Sequence, residues 1–332
     1  MTKTSIISLI KRNLYLLIPI AMLSLWALIS LIKDNFSLLD SCDFPIFYYG
    51  GKHIYTKPEK IPYGHGYWWT VNFAVAFSLI SLFEYEIALW IFFFIIYMCG
   101  VLFIREFNKI LILKNVNSKF NRVLFLSIIS NGIYIMQTFD YLQKKFISLF
   151  LILLFIRREI EIRTKDNNYN NIKFQIIQLN ILIFALGMEP QFASIGIIYL
   201  LNNKSIKSIF SKSQFKKYIL VILIFIGQNF MFLVYPDLIF RFLDGITAVP
   251  SRTNISHIDL NTITPEEVIK ERLEFNRCSM VMILLILGID APVGIISLIL
   301  IALFTIIISF KKNLLFEKKI GYFALFSLFF SV

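Results

Sequence analysis

The chain has 332 residues, 58% of them hydrophobic and 16% charged, with 33 Lys and Arg against 21 Asp and Glu for a formal net charge of +12. Uncharged runs of close to bilayer-spanning length exclude an ordinary soluble domain. The bases are spread over alternate loops instead of forming one patch, which argues against a nucleic-acid partner.

The first element is the uncharged run Leu14 to Ile32, preceded by Lys3, Lys11 and Arg12. It is longer than the apolar core of a secretory signal, and no small-residue cleavage pattern follows, so it reads as a membrane span. Further apolar runs follow at 71–83, 87–104, 123–136, 146–156, 174–187, 192–201, 218–235, 279–288, 293–310 and 320–332. None alternates as the strands of a membrane barrel do, so the expected fold is all-α, a polytopic transmembrane helical bundle forming one domain over 1–332. Several runs are short for a full crossing. Broken helices at membrane depth are stable only where their backbone faces protein or a water-filled cavity, which implies a polar cavity. The last run, 320–332, is too short for a comfortable span and suggests that the chain is incomplete at its C-terminus.

Lys and Arg collect in five segments: 3–12, 105–122, 157–173, 204–217 and 311–319. Most acids fall in the intervening loops 33–70, 137–145, 187–191 and 236–278. By the positive-inside rule the lysine-rich set is cytoplasmic and the acid-bearing set is outside, with the N-terminus inside. This requires an odd number of crossings between residues 70 and 105, so 71–83 reads as a short interfacial or re-entrant helix and 87–104 as the span. Membrane lipid, including anionic headgroups, is then a partner.

Reactive side chains gather in the outward set. "LLDSCDFPIFYYGGKHIY", residues 38–55, holds Asp40, Asp43, Tyr48, Tyr49, Lys52 and His53; "IPYGHGYWW", residues 61–69, adds Tyr63 and His65. Gln137 and Asp140 stand in "MQTFDYLQKKF", Glu189 in "GMEPQF", and Arg241 and Arg252 in the 236–278 loop. Asp43, Asp140 and Glu189 lie within a few residues of apolar sequence, where an ionised carboxylate is costly unless it is partnered or lines a cavity. A carboxylate can take a proton from a hydroxyl, aromatic rings offer a sugar a stacking wall, and cations neutralise a phosphate leaving group. This combination suits glycosyl transfer. Plainer readings hold elsewhere: Trp68 and Trp69 fit an interfacial aromatic belt, and Glu266, Glu267, Glu271 and Glu274 fit the exposed face of a surface helix. The three cysteines form no metal or redox motif, although Cys42 and Cys278 both fall in outward loops and could pair. His53 and His65 lack a metal-ligand pattern, and no structural metal is expected.

The order Asp-Phe-x-x-Phe-Tyr-Tyr-x-Gly after the first span, the Tyr-rich turn leading toward "FEYEIALW", then "QTFDYLQKKFISLFLILLF" and "LGMEPQFASIGIIYLL", resembles the GT-C superfamily of integral-membrane glycosyltransferases. It is most similar to the polyprenyl-phosphate-mannose-dependent α-mannosyltransferases of glycosyltransferase family 87. The resemblance covers residues 14 to about 201. It implies an inverting transfer of a hexose, mannose in the family, from a polyprenyl-phosphate donor to a glycolipid or glycan acceptor on the outer face. It implies Asp43 as general base, with Asp40 as the alternative, and no cofactor; an Mg²⁺ or Mn²⁺ held by this carboxylate pair is the second choice. Two positions depart from the family. Met136 stands where glycine precedes Gln137, and Glu189 stands where relatives carry a lysine, so a donor phosphate would need another cation, for which Lys52, His53, Arg241 and Arg252 are candidates. A polytopic transporter or flippase is the competing class, with Glu84, Glu86 and Asp290 as its intramembrane acids. A structural membrane subunit is a third reading, which leaves the Asp43 loop unexplained.

Overall fold

The computed structural model describes residues 14–33, 44–61, 70–131, 135, 138–139, 142–165, 172–189, 192–202, 209–248 and 293–330. These residues are mostly helical, with no strand among them. Two compact units emerge, one comprising 1–189 with 224–239 and the other 190–223 with 240–332.

In the first unit a 3-10 turn, Leu14–Leu16, leads into α1, Leu17–Lys33. Next come a short α2, Phe44–His53, a 3-10 turn at Pro58–Lys60, and α3, Val71–Phe77. A second 3-10 turn at Ile80–Leu82 precedes α4, Tyr85–Leu113. The expected short element and long apolar run thus occur as the helices α3, with its 3-10 turn, and α4. Then follow α5, Lys119–Ile129; α6, Lys145–Lys165; and α7, Ile172–Met188. Two helices, Leu14–Lys33 with its 3-10 start and Tyr85–Leu113, are long and apolar enough to cross a membrane.

Local chemistry sets the boundaries. Helix α4 stops because Asn115 adopts a left-handed φ of 58°, with Asn115 N–H donating to Ile112 O and Val116 N–H to Leu111 O. That pattern satisfies the last carbonyls of a helix, and Asn tolerates the conformation better than most residues. Ser118 then caps α5 by accepting from the Asn121 N–H at 3.3 Å.

Helix α4 is the spine of the unit. Its buried Ala88, Leu89, Phe92, Phe93, Ile96, Gly100, Phe103 and Ile104 recur at helical spacing, while Ile87, Trp90, Phe94 and Met98 on other faces are exposed. In α1 the buried positions are Pro19, Leu23, Ala27 and Ser30, against exposed Leu17, Ile18, Leu25, Leu28, Ile29 and Ile32. Helices with one packed apolar face and a second, solvent-accessible apolar face are not stable alone in water; surfaces of that size mark contact with another apolar phase or partner. Close approach of α1 to α4 depends on Gly100, where an added Cβ would lie 2.9 Å from Leu23 Cδ2.

The contacts also order the helix directions. Ser24 Oγ and Tyr97 OH share a 2.7 Å hydrogen bond, and Tyr15 OH donates to Asn108 Oδ1 at 3.0 Å, so α1 runs antiparallel to α4. Phe103 meets Phe146 at a centroid distance of 6.1 Å, and further along Arg157 pairs with Glu106, so α6 runs parallel to α4. Helix α7 returns antiparallel to α6: Lys144 meets Glu189 at 2.9 Å, Gln178 Nε2 donates to Phe155 O at 3.3 Å, and Arg158 lies 4.7 Å over the Phe174 ring. One end of the unit therefore holds Glu106, Arg122 over Tyr15, Lys109, Arg157 and Glu161. Away from that end, the start of α6 lies level with the middle of α4, where Phe146 meets Phe103, and next to the end of α7.

In the remaining sequence lie α8, Ala193–Leu201; α9, Lys212–Gln228; α10, Met231–Val234; α11, Asp237–Ala248; α12, Val293–Phe310; and α13, Phe316–Phe330. Within the second unit α8 packs on α12 and α13. There Lys319 is fully buried and donates to Asn202 Oδ1 at 2.7 Å and Ser309 O at 2.8 Å.

Candidate functional site

Helix α2 follows Asp43 directly in the sequence. Its Phe44, Phe47 and Tyr48 are buried, and they pack edge-on or tilted against Phe73, Phe77, Tyr85 and Phe92 of α3 and α4. Tyr48 OH donates to Phe83 O at 3.0 Å, fastening the helix to the turn that opens α4. The Gly-Gly pair has a packing reason: a Cβ on Gly51 would lie 2.5 Å from Ser81 Oγ and 2.9 Å from the Phe77 carbonyl carbon, so only glycine lets α2 sit this close to the end of α3. Ser81 Oγ in turn donates to Tyr48 O at 2.9 Å.

The aromatic face is thus used for anchoring, and a different edge carries the polar groups. Tyr49 is 47% exposed and stacks on His53 with centroids 6.2 Å apart and planes 13° from parallel. The Lys52 ammonium lies 5.5 Å from the Tyr48 ring centre. Of the tyrosine pair expected at a sugar, Tyr49 is accessible, as is Tyr55 further along, whereas Tyr48, at 5% exposure, acts from below as packing and as a hydrogen-bond donor.

Between the start of α6 and the end of α7, Lys144 and Glu189 form an ion pair of 2.9 Å, with the lysine side chain 4% and the carboxylate 14% exposed. Glu189, a substrate-binding candidate by sequence, has this cation as partner. The pairing answers how an acid is tolerated so close to apolar sequence. Lys144 was absent from the candidate cations Lys52, His53, Arg241 and Arg252. Its sequence signal was weak, a lysine in "LQKKF" just ahead of an apolar run.

A second polar group, also missed in sequence, lies beside the end of α7. Thr70 N–H donates to Gly187 O at 3.1 Å and Thr70 Oγ1 to Asn72 Oδ1 at 2.6 Å. Asn72 Nδ2 donates to Gln228 Oε1 at 3.3 Å, and Gln228 Nε2 to Asn180 O and Oδ1 at 2.9 and 3.1 Å. Asn72 N–H also reaches Asn229 Oδ1 at 3.3 Å. These are neutral side chains with mutual partners, as buried polar groups require. A Cβ on Gly187 would fall 2.5 Å from Asn72 Nδ2, so the glycine admits the network.

Arg241 lies on α11, in the second unit. Asp40, Asp43, Tyr63, His65, Gln137, Asp140 and Arg252 lie outside the described residues, as do Cys42, Cys278 and Asp290. Glu84 and Glu86, considered as intramembrane acids for transport, are both exposed at the start of α4. Acids at a helix N-terminus are favoured by its dipole and need no buried partner. Among the described residues, no group of three or more His, Cys, Asp or Glu is placed to hold a metal ion.

No family model, curated protein or solved structure matches the chain.

Proposed function

We propose that this protein is a polytopic membrane glycosyltransferase that moves a hexose, with mannose the first candidate, from a polyprenyl-phosphate donor to a glycolipid or glycan acceptor on the outer face. The observation that carries the reading is the setting of α2. The helix that begins immediately after Asp43 is bolted by its buried aromatic face to α3 and α4, leaving Tyr49, Lys52 and His53 along another edge. A general base must be held on a rigid support within reach of the hydroxyl it deprotonates, and α2 supplies such a support next in sequence to Asp43. The exposed apolar rows of α1 and α4 favour a membrane setting, in which the donor's tail lies in lipid and its phosphate and sugar meet that polar edge.

In this reading Asp43 takes the proton of the acceptor hydroxyl as its oxygen attacks the anomeric carbon. The bond from that carbon to the phosphate oxygen breaks, and polyprenyl phosphate leaves with the electron pair. Phosphate is a competent leaving group, so a nearby cation assists more than an acid would. The test is purified full-length protein incubated with radiolabelled polyprenyl-phosphate hexoses and native membranes. A labelled acceptor product that needs Asp43 is the expected result; absence of product with every polyprenyl-phosphate hexose sinks the proposal.

A further inference from the structure

The Lys144–Glu189 pair is set against both helices that carry it. Lys144 O accepts from Ile147 N–H at 2.9 Å and Ser148 N–H at 3.2 Å, so this lysine occupies the capping position at the start of α6. Glu189 N–H donates to Ala185 O at 3.0 Å, which puts the glutamate at the closing position of α7. A helix start favours an anion and a helix end favours a cation. Here the cation is at the start and the anion at the end, and their mutual attraction offsets two unfavourable placements. The turn feeding Lys144 is also strained. Leu142 has φ 47°, uncommon for a bulky side chain, and is held there by full burial and by the 2.9 Å bond from Gln143 N–H to Thr138 O. One residue before the lysine, Gln143 Oε1 is a buried acceptor with no hydrogen-bond partner among the described residues. Buried acceptors are ordinarily satisfied. A pair serving stability alone explains neither the reversed polarity nor this unused acceptor.

We infer that Lys144–Glu189 is a displaceable ion pair: Lys144 receives the phosphate of a lipid phosphodiester, and Glu189 is the counter-ion that holds the lysine until that phosphate arrives. The exchange conserves charge at Lys144, since a phosphodiester carries one negative charge, as the carboxylate does. It also improves the electrostatics. The incoming anion meets the positive end of α6, while Glu189, the more exposed partner, is released from the buried pair. This inference rests on the glycosyltransferase reading for the identity of the ligand, and it assigns the donor phosphate to a cation 45 positions from the glutamate it displaces.

The experiment measures binding of polyprenyl methyl phosphate, a singly charged diester, to the purified full chain in nanodiscs, beside the matching polyprenol and inorganic phosphate. The diester is expected to bind at least about tenfold more tightly than either control. Lys144→Gln should weaken it about tenfold or more, and Lys144→Arg should retain most of the affinity. Glu189→Gln should tighten it severalfold, because the resting competitor is gone. That gain is a result a purely structural salt bridge does not produce. If Glu189→Gln weakens binding or leaves it unchanged, the inference is wrong, and this arm decides even where Lys144→Gln fails to fold. Equal binding of inorganic phosphate would overturn the lipid assignment. Binding as expected with no sugar transfer keeps the anion site and removes the enzyme; transfer indifferent to Lys144→Gln does the reverse.

Discussion

Tyr48 donates its hydroxyl to the backbone carbonyl of Phe83, 3.0 Å away and 35 positions later, and this bond joins the helix after Asp43 to the turn that starts the longest helix. Tyr48→Phe removes the bond and keeps the ring contacts with Phe44 and Tyr85. The expected loss is about 1 kcal/mol, the usual net value of such a bond. Phe47→Ala, which empties a fully buried position, should cost about 3–5 kcal/mol. Thermal unfolding in detergent should rank the two in that order; equal effects would show that α2 is not held by its aromatic face.

Gly51 and Gly227 give opposite expectations for the same change. Gly51→Ala forces a Cβ against Ser81 and the Phe77 backbone and should cost about 1–3 kcal/mol. Gly227→Ala meets nothing within 4 Å and should be neutral or gain up to about 1 kcal/mol in helix propensity. Melting temperatures of the two variants, measured side by side, test this packing.

Asp43→Asn should lower transfer by about 10²-fold or more with the folded state intact, because it deletes a general base and keeps the side-chain volume. Asp40→Asn should do less. Steady-state rates with a labelled donor decide; the reverse ranking would move the base to Asp40.

The reaction should proceed in detergent without an ion gradient and reject nucleotide sugars, since the donor bond supplies the energy and its lipid anchors it. Chelation is expected to change the rate little. Loss of activity with chelator, restored by Mg²⁺ or Mn²⁺, would make Asp40 and Asp43 metal ligands. Gradient-driven flux in sealed vesicles with no covalent product would instead establish a transporter.

For topology, a cysteine introduced at the exposed Lys57 should react with an impermeant reagent in intact cells, and one at position 207 should be protected. Labelling of both, or of 207 alone, would reverse the orientation drawn from the charges.

Helix positions were legible in the sequence because hydrophobic runs and their punctuation are local. The short 71–83 run and the long one after it became Val71–Phe77 with a 3-10 turn and Tyr85–Leu113. The tyrosine pair was equally visible, but its roles were not: burial of Tyr48 and exposure of Tyr49 follow from which side of α2 meets α3 and α4, a matter of packing. Sequence marked Glu189 as an acid in need of a partner and could not name it. Lys144 is 45 positions away, and only the antiparallel return of α7 along α6 brings the two to 2.9 Å. The same holds for Thr70, Asn72, Asn180, Gln228 and Asn229, ordinary polar residues one at a time, which form a network because three distant segments converge where Gly187 leaves room. Composition and periodicity determine which segments are helices and which faces are apolar; charge partners depend on helix direction and register, which are properties of the folded chain alone.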